Sequence, residues 1–255
     1  MRERVISTSW VKKVPAEERP PLRIVVSDPK AGNKKVEVKV KGSNDEALKV
    51  TNEMKKTKEQ ERRELPKAKV SKKVADELKL NEVGVLTLSI KKEGGKTNLS
   101  FRVIISDDVP ENEAWINSEL LGEIAGANEA DAYAFRAKAF QLSVPEDIMI
   151  KISGLEIGDE FDGSLIGFDQ IKLKIRGGSD ATGFPMHPGI PGAVRKKVLL
   201  SGPPGFHPTE KGLRKKKTVR GRMVPDPRAE RRKTALAQLN VEISYPEISQ
   251  EAQQA

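Results

Sequence analysis

Four acids, Glu156, Asp159, Glu160 and Asp162, crowd one short stretch of the 255-residue chain. Clustered carboxylates can hold Mg²⁺ or pass protons in general acid–base catalysis. Their spacing between Gly158 and Gly163 predicts instead a turn with one solvated face. Gly94-Gly95-Lys96-Thr97 carries the ending of a phosphate-binding loop, G-x-x-x-x-G-K-[ST], whose backbone amides would cradle phosphate. That motif needs a glycine where Ile90 sits and a helix where a strand pattern follows, so a hairpin turn is expected. The only histidines, His187 and His207, each precede a proline and belong to rigid loops, as hydrogen-bonded or phosphate-touching groups. With no cysteine, disulfides, zinc knuckles, thiolate nucleophiles and iron–sulfur clusters are excluded. No catalytic residue, metal or cofactor is expected.

The strongest pattern is cationic. Lys and Arg number 46 against 37 acids, a net charge of +9. Residues 172–234 hold 17 of the basic residues and only 4 acids, which leaves 29 basic against 33 acidic residues elsewhere. A surplus so concentrated predicts a polyanionic partner on that quarter of the chain. Lys172, Lys174 and Arg176 alternate with Leu173 and Ile175, so a strand would present them as one row. Arg176-Gly177-Gly178 follows that row. Arg195-Lys196-Lys197 precedes a loop with Gly202 and Gly205, and Lys211, Arg214, Lys215, Lys216, Lys217, Arg220 and Arg222 complete the set. Glycines let main chain approach phosphates and clustered cations displace counterions, which describes a loop-built polyanion surface. Only Phe184 and Phe206 are aromatic in this segment, so folded RNA read through phosphate, shape and 2′-hydroxyl is expected rather than base stacking.

These groups must be positioned by a β-rich α+β chain. Apolar residues make up 36% and charged residues 33%, against roughly 25% charged in an ordinary domain. No run reaches the roughly 18 apolar residues of a spanning helix, residues 1–21 lack a signal-like apolar stretch, and the cytoplasm is the default. Leu22–Ser27 and Lys35–Val40 read as a hairpin, and 42–68 as an exposed loop or solvated helix. Ser71 can cap a helix containing Val74, Ala75 and Leu78. Val85–Ile90 and Leu99–Ile105 form a hairpin. Ile116–Ile124 then repeats Val70–Leu78 at an offset of 46, again followed by a strand over Ala134–Leu142, which suggests a pseudo-symmetric barrel or sandwich. Strands are expected at Ile148–Ser153, Ile171–Arg176, Val198–Leu200 and Leu239–Ile243.

Three blocks resemble the ribosomal protein S6e family of the small subunit, the eukaryotic and archaeal type. They are Ile175 to Met186, Lys196 to Gly202, and Gly212 to Gly221, with a weaker likeness at Ile24–Pro29. The resemblance implies a small β-barrel-like domain from 22–41 and 145–245 with extended basic loops. An α+β domain would be inserted at 42–144, with an N-terminal extension at 1–21 and a polar tail at 246–255. It also implies a structural constituent of the small ribosomal subunit in the cytoplasm, bound to small-subunit rRNA and neighbouring ribosomal proteins, with no membrane contact and no homo-oligomer. Arg195, Lys196, Lys197, Arg214, Lys215, Lys216, Lys217, Arg220 and Arg222 would touch rRNA, and Gly177, Gly178, Gly202 and Gly205 would permit close backbone approach. Leu213 departs from the family's acid, and the insert matches only an elaborated archaeal form. The alternatives are a carboxylate-dependent RNA-processing enzyme and a transient ribosome-associated factor.

Overall fold

A computed structural model describes residues 21–52, 54, 62–92, 95–169, 171–229 and 234–245. The expected arm, tail and turn at Glu93 and Gly94 lie outside these residues. Among the described residues no helix is long and apolar enough to cross a membrane. The β-rich α+β expectation is borne out, as a closed six-stranded barrel, a five-stranded sheet and a two-stranded ribbon.

Strand β1 (Leu22–Ser27) buries Leu22, Ile24 and Val26 on one side, as period-two alternation requires. It runs parallel to β13 (Leu236–Ser244) and antiparallel to β8 (Ala139–Val144). On the other side of β13 come β10 (Lys172–Asp180) and the short β9 (Glu160–Asp162). Leu173, Ile175, Leu239, Val241, Ile243, Phe140 and Leu142 complete the core of this sheet. Helix α3 (Glu146–Lys151) buries Met149 and, just beyond its end, Ile152 against it.

The barrel closes in the order β2, β6, β3, β5, β4, β7. These strands are β2 (Val36–Ser43), β3 (Lys67–Val70), β4 (Val85–Lys92), β5 (Gly95–Ile105), β6 (Glu113–Asn117) and β7 (Glu129–Arg136). Helix α1 (Lys72–Glu77) follows β3, and α2 (Ser118–Ala125) follows β6. Asn117 caps α2 by accepting the N–H groups of Glu119 and Leu120, and Gly126 ends it at φ 73°. The pairings obey a pseudo-twofold that exchanges β2, β3 and β4 with β5, β6 and β7. Thus β2 is parallel to β6 as β5 is to β3, and β2 is antiparallel to β7 as β5 is to β4. The recurrence at 46 residues is this symmetry seen in sequence: Leu88 faces Ala134 across the β4–β7 pair, and those two positions are 46 apart.

Several expectations are corrected. The barrel is built from the middle of the chain, whereas Leu22–Ser27 and the C-terminal segments form the open sheet. Strands β1 and β2 do not pair; the 28–35 connection carries the chain from sheet to barrel, because Val38 and Val40 are buried in the barrel core. Ala134–Leu142 breaks into β7 and β8 at Ala137 and Lys138, the return crossing. Ile148–Ser153 is helical over most of its length. Pro145 precedes the helix, Glu146 and Asp147 occupy its first turn, and Lys151 its last, all favourable to the helix dipole. The charged 42–68 stretch holds a 3-10 turn at Glu46–Leu48 and buries Leu48, Met54 and Leu65.

One buried cluster joins barrel to sheet. The Arg136 guanidinium, at the end of β7, donates to Asp28 Oδ2 at 2.6 Å, Glu82 Oε2 at 2.9 Å, the Lys79 carbonyl at 3.0 Å and the Tyr245 hydroxyl at 2.6 Å. Tyr245 donates in turn to Asp28 Oδ1 at 2.7 Å. Burial works against the charge of Arg136, but its hydrogen bonds to Asp28 and Glu82 outweigh burial and raise its pKa. Burial first, then the hydrogen bond to Asp28, push the Tyr245 phenol above the ordinary tyrosine value. Asp28→Ala leaves Arg136 without its most buried partner, and denaturant unfolding should report a loss of about 3–5 kcal/mol. A raised folded pKa favours the folded state below the unfolded tyrosine value of about 10, and that contribution is lost as pH rises further. The stability gap between wild type and Tyr245→Phe should therefore be constant near neutrality and shrink above about pH 10.

Candidate nucleic-acid interface

The row on β10 forms as expected, with Leu173 and Ile175 buried and Lys172 and Arg176 exposed. Its charge is largely countered by neighbouring strands. Lys172 stands opposite Asp162 on β9, and Lys174 opposite both Glu160 on β9 and Glu242 on β13. Arg176 is ion-paired with Glu242. The carboxyl of Asp162 accepts the Ser164 N–H, which with the Lys172 charge holds it below the usual carboxylate range. The acid-rich segment makes the expected turn at residues 156–159 and then enters β9, whose exposed Glu160 and Asp162 face a basic strand. Asp159 accepts the Glu156 N–H at 2.8 Å, and Glu156 pairs with Arg222 at 2.7 Å.

Arg195, Lys196, Lys197, Lys215, Lys216, Lys217 and Arg220 sit on a ribbon of β11 (Arg195–Leu200) and β12 (Lys215–Arg220), where a surface built from loops was expected; Lys211 and Arg214 lie in the connecting loop and Arg222 just beyond β12. On one face Val198, Leu200 and Val219 pack with Ile190 and Phe206 in a small separate core, with Lys217, Lys215 and Lys196 beside them as direct partners. The register sets Lys217, Lys216 and Lys215 opposite Val198, Leu199 and Leu200, and sets Lys196 and Lys197 opposite Val219 and Thr218. Like charges directly opposite destabilise a pair of strands, and this register avoids them at every lysine. A slip of one residue would bring Lys197 against Lys217, or Lys196 against Arg220.

The single like-charge pair is Arg195 opposite Arg220, and both are engaged. Arg195 Nε and Nη2 reach Asp180 Oδ2 at 2.7 and 2.6 Å, its guanidinium also donates to Thr182, and it lies 5.1 Å from the Phe184 ring centroid. The Asp180 side chain, 0% exposed, accepts the N–H groups of Thr182 and Phe184 through its other oxygen. Arg220 is 1% exposed and donates to the Thr234 carbonyl. Expected as RNA contacts, Arg195 and Arg220 instead fasten the base of the ribbon to the sheet. Arg222 is half-exposed and tied to Glu156.

Two glycines expected at a phosphate backbone serve internal packing. A Cβ on Gly178 would lie 2.4 Å from the Gln238 carbonyl oxygen on β13, and one on Gly205, at φ 95°, would lie 2.8 Å from Val219 Cγ1. Gly177 marks a bulge in β10, and Gly202 has open space around it. Among the described residues, Lys196, Lys197, Lys211, Arg214, Lys215, Lys216 and Lys217 form no ion pair, and all but the half-buried Lys217 are exposed. Seven cations therefore lie on β11, β12 and the loop between them, with no ion pair among the described residues.

The sequence model of the family described as ribosomal protein S6e matches residues 132–246, which contain every candidate residue named above. Small ribosomal subunit protein eS6 of Aeropyrum pernix is 59% identical over 231 residues, 90% of this chain and 97% of the relative. The chain belongs to the ribosomal protein S6e family. Its counterparts in Hyperthermus butylicus and Staphylothermus marinus are 43% and 42% identical, over 89% and 88% of this chain and 98% of each relative. The S6e match is one unbroken stretch starting within β7, so the weaker likeness at Ile24–Pro29 lies outside it. Alignments with these archaeal relatives are long enough to take in the barrel as well.

Sequence reasoning missed two residues of this S6e surface. Asp180 stood in a motif but had no role; Asp-Ala-Thr-Gly is an Asx-turn signature, which marks its carboxylate as a local acceptor. Leu199, within the expected strand Val198–Leu200, had no role, and it is 55% exposed. Asp180→Ala removes the acceptor shared by Arg195, Thr182 and Phe184, and should cost about 3 kcal/mol in denaturant unfolding.

Proposed function

We propose that this chain is a structural constituent of the small ribosomal subunit in the cytoplasm, not an enzyme, and that it holds rRNA through the β11–β12 ribbon. The observation that carries this reading is the set of unpaired cations at Lys196, Lys197, Lys211, Arg214 and Lys215 to Lys217, in a family whose archaeal relatives are named as small-subunit proteins. Ion-pairing inside the protein leaves a cation little to give a phosphate, so the free ribbon lysines carry affinity. Arg176, Arg195, Arg220 and Arg222 keep the scaffold in register, with Gly178 and Gly205 allowing its close packing. Lys172 and Lys174, facing acids, contribute less. Gly177 and Gly202 are the glycines with room for an approaching RNA backbone.

The carboxylates favour no rival hydrolytic reading, since Glu156 pairs with Arg222, Asp159 and Asp162 accept backbone N–H groups, and Glu160 accepts the Ser244 hydroxyl. The barrel enters between β1 and β8 of the sheet; we take it as an inserted unit offering a second surface to neighbouring ribosomal proteins. A constituent should stay on purified subunits through a high-salt wash that strips a transient factor.

Contact with about 6–10 phosphates lowers RNA affinity about 10³- to 10⁵-fold between 50 and 200 mM salt. Filter binding of an rRNA fragment should follow that slope. Replacing Lys215, Lys216 and Lys217 with alanine should lower the slope by about 3, one per lysine, with little change in preference among RNA sequences. A salt-independent affinity would contradict the proposal.

A further inference from the structure

We infer that the outward face of the β11–β12 ribbon seats on the shallow minor groove of duplex RNA, with Leu199 against the ribose edges; this rests on the rRNA-binding reading above. Direct partners on antiparallel strands share a face, so Leu199 and Lys216 stand side by side, with Lys197 and Thr218 one step along. The opposite face carries the small core of Val198, Leu200 and Val219, flanked by their direct partners Lys217, Lys215 and Lys196, and leaves Leu199, Lys216, Lys197 and Thr218 facing outward. The outward surface is therefore an apolar centre, a hydroxyl, and lysines to either side.

Each nucleic-acid class asks for something different. Unpaired strands are held by stacking bases on exposed aromatics. The two aromatics of this region are unavailable for that: Phe206 is buried in the small core and Phe184 lies beneath the Arg195 guanidinium. The major groove of A-form RNA is deep and too narrow for side chains, whereas its minor groove is wide, shallow and lined by 2′-hydroxyls. A two-stranded ribbon with one exposed face can lie against the second shape. Lysines at the margins reach the phosphates, the Thr218 hydroxyl can exchange hydrogen bonds with a 2′-hydroxyl, and Leu199 meets ribose C–H groups. Leu199 is 55% exposed, beside Lys216 on the same face. An acidic protein could satisfy the lysines but has no need of duplex geometry.

The test is fluorescence anisotropy of the full chain at 150 mM salt with three probes. They are an RNA duplex of about 16–20 base pairs, the span of one double-stranded-RNA module, an unpaired RNA of equal length, and the DNA duplex of the same sequence. The RNA duplex should bind about tenfold tighter than either competitor, a difference of about 1.4 kcal/mol. Leu199→Ala should weaken the duplex complex several-fold at unchanged salt slope, while Lys216→Ala should lower the slope by about 1. Because Leu199 is exposed, the variant should melt as wild type does. Equal or tighter binding of the unpaired RNA or the DNA, or indifference to Leu199→Ala, would overturn the groove assignment and leave the rRNA-binding reading standing. Failure to bind any RNA would overturn both.

Discussion

A strand pair that gathers lysines on both members works against its own electrostatics, and the ribbon resolves this through register. Every lysine of β11 and β12 stands opposite a neutral residue. The one place where two cations meet, Arg195 against Arg220, is where the ribbon joins the sheet and where the protein supplies a buried carboxylate and a backbone carbonyl. Asp180 is thus the counterion that lets the charge beyond it remain uncompensated. Like-charge repulsion across the pair would otherwise favour slipped or opened arrangements. The division follows directly: arginines near the base are spent on structure, and lysines beyond it remain available.

The same logic separates the ribbon from β10. Both carry alternating cations, but β10 lies inside a sheet between β9 and β13, whose acids face it. An ion pair there is half-solvated and screened, worth little to stability, yet it lowers the field a polyanion would sense. Placement next to acids or away from them decides which basic row is a surface for a partner. Farther off, the cluster of Arg136, Asp28, Glu82 and Tyr245 fixes the barrel against the sheet where the chain crosses between them.

Much of the sheet and barrel was legible because local patterns dominate there. The period of two in Leu173 and Ile175, Ser71 at the N-cap position of α1 and the 46-residue recurrence all survive into the fold, although the Ser71 hydroxyl donates to the Glu111 carbonyl and not to the helix. Partnership was harder to read. Leu22–Ser27 and Val36–Val40 look like a hairpin, yet their apolar faces belong to different cores. Ile148–Ser153 has strand-like residues, but Pro145 and two acids start a helix. At the site, composition picked out the cationic segment, and the family blocks fall on β11 and β12. Which cations are free depends on residues distant in sequence: Thr234 for Arg220, Glu242 for Arg176, Glu156 for Arg222. Gly178 looked like room for a ligand because a missing side chain reads the same whether RNA or Gln238 fills the space.

The central claim, that the free ribbon lysines face RNA in the assembled particle, is tested most directly by lysine-reactive labelling of intact small subunits followed by mass spectrometry. Lys196, Lys197, Lys215 and Lys216 should be reactive in the isolated protein, protected in the subunit, and reactive again after nuclease digestion of the RNA. Equal reactivity in subunit and isolated protein would contradict the account, as would protection that persists once the RNA is gone.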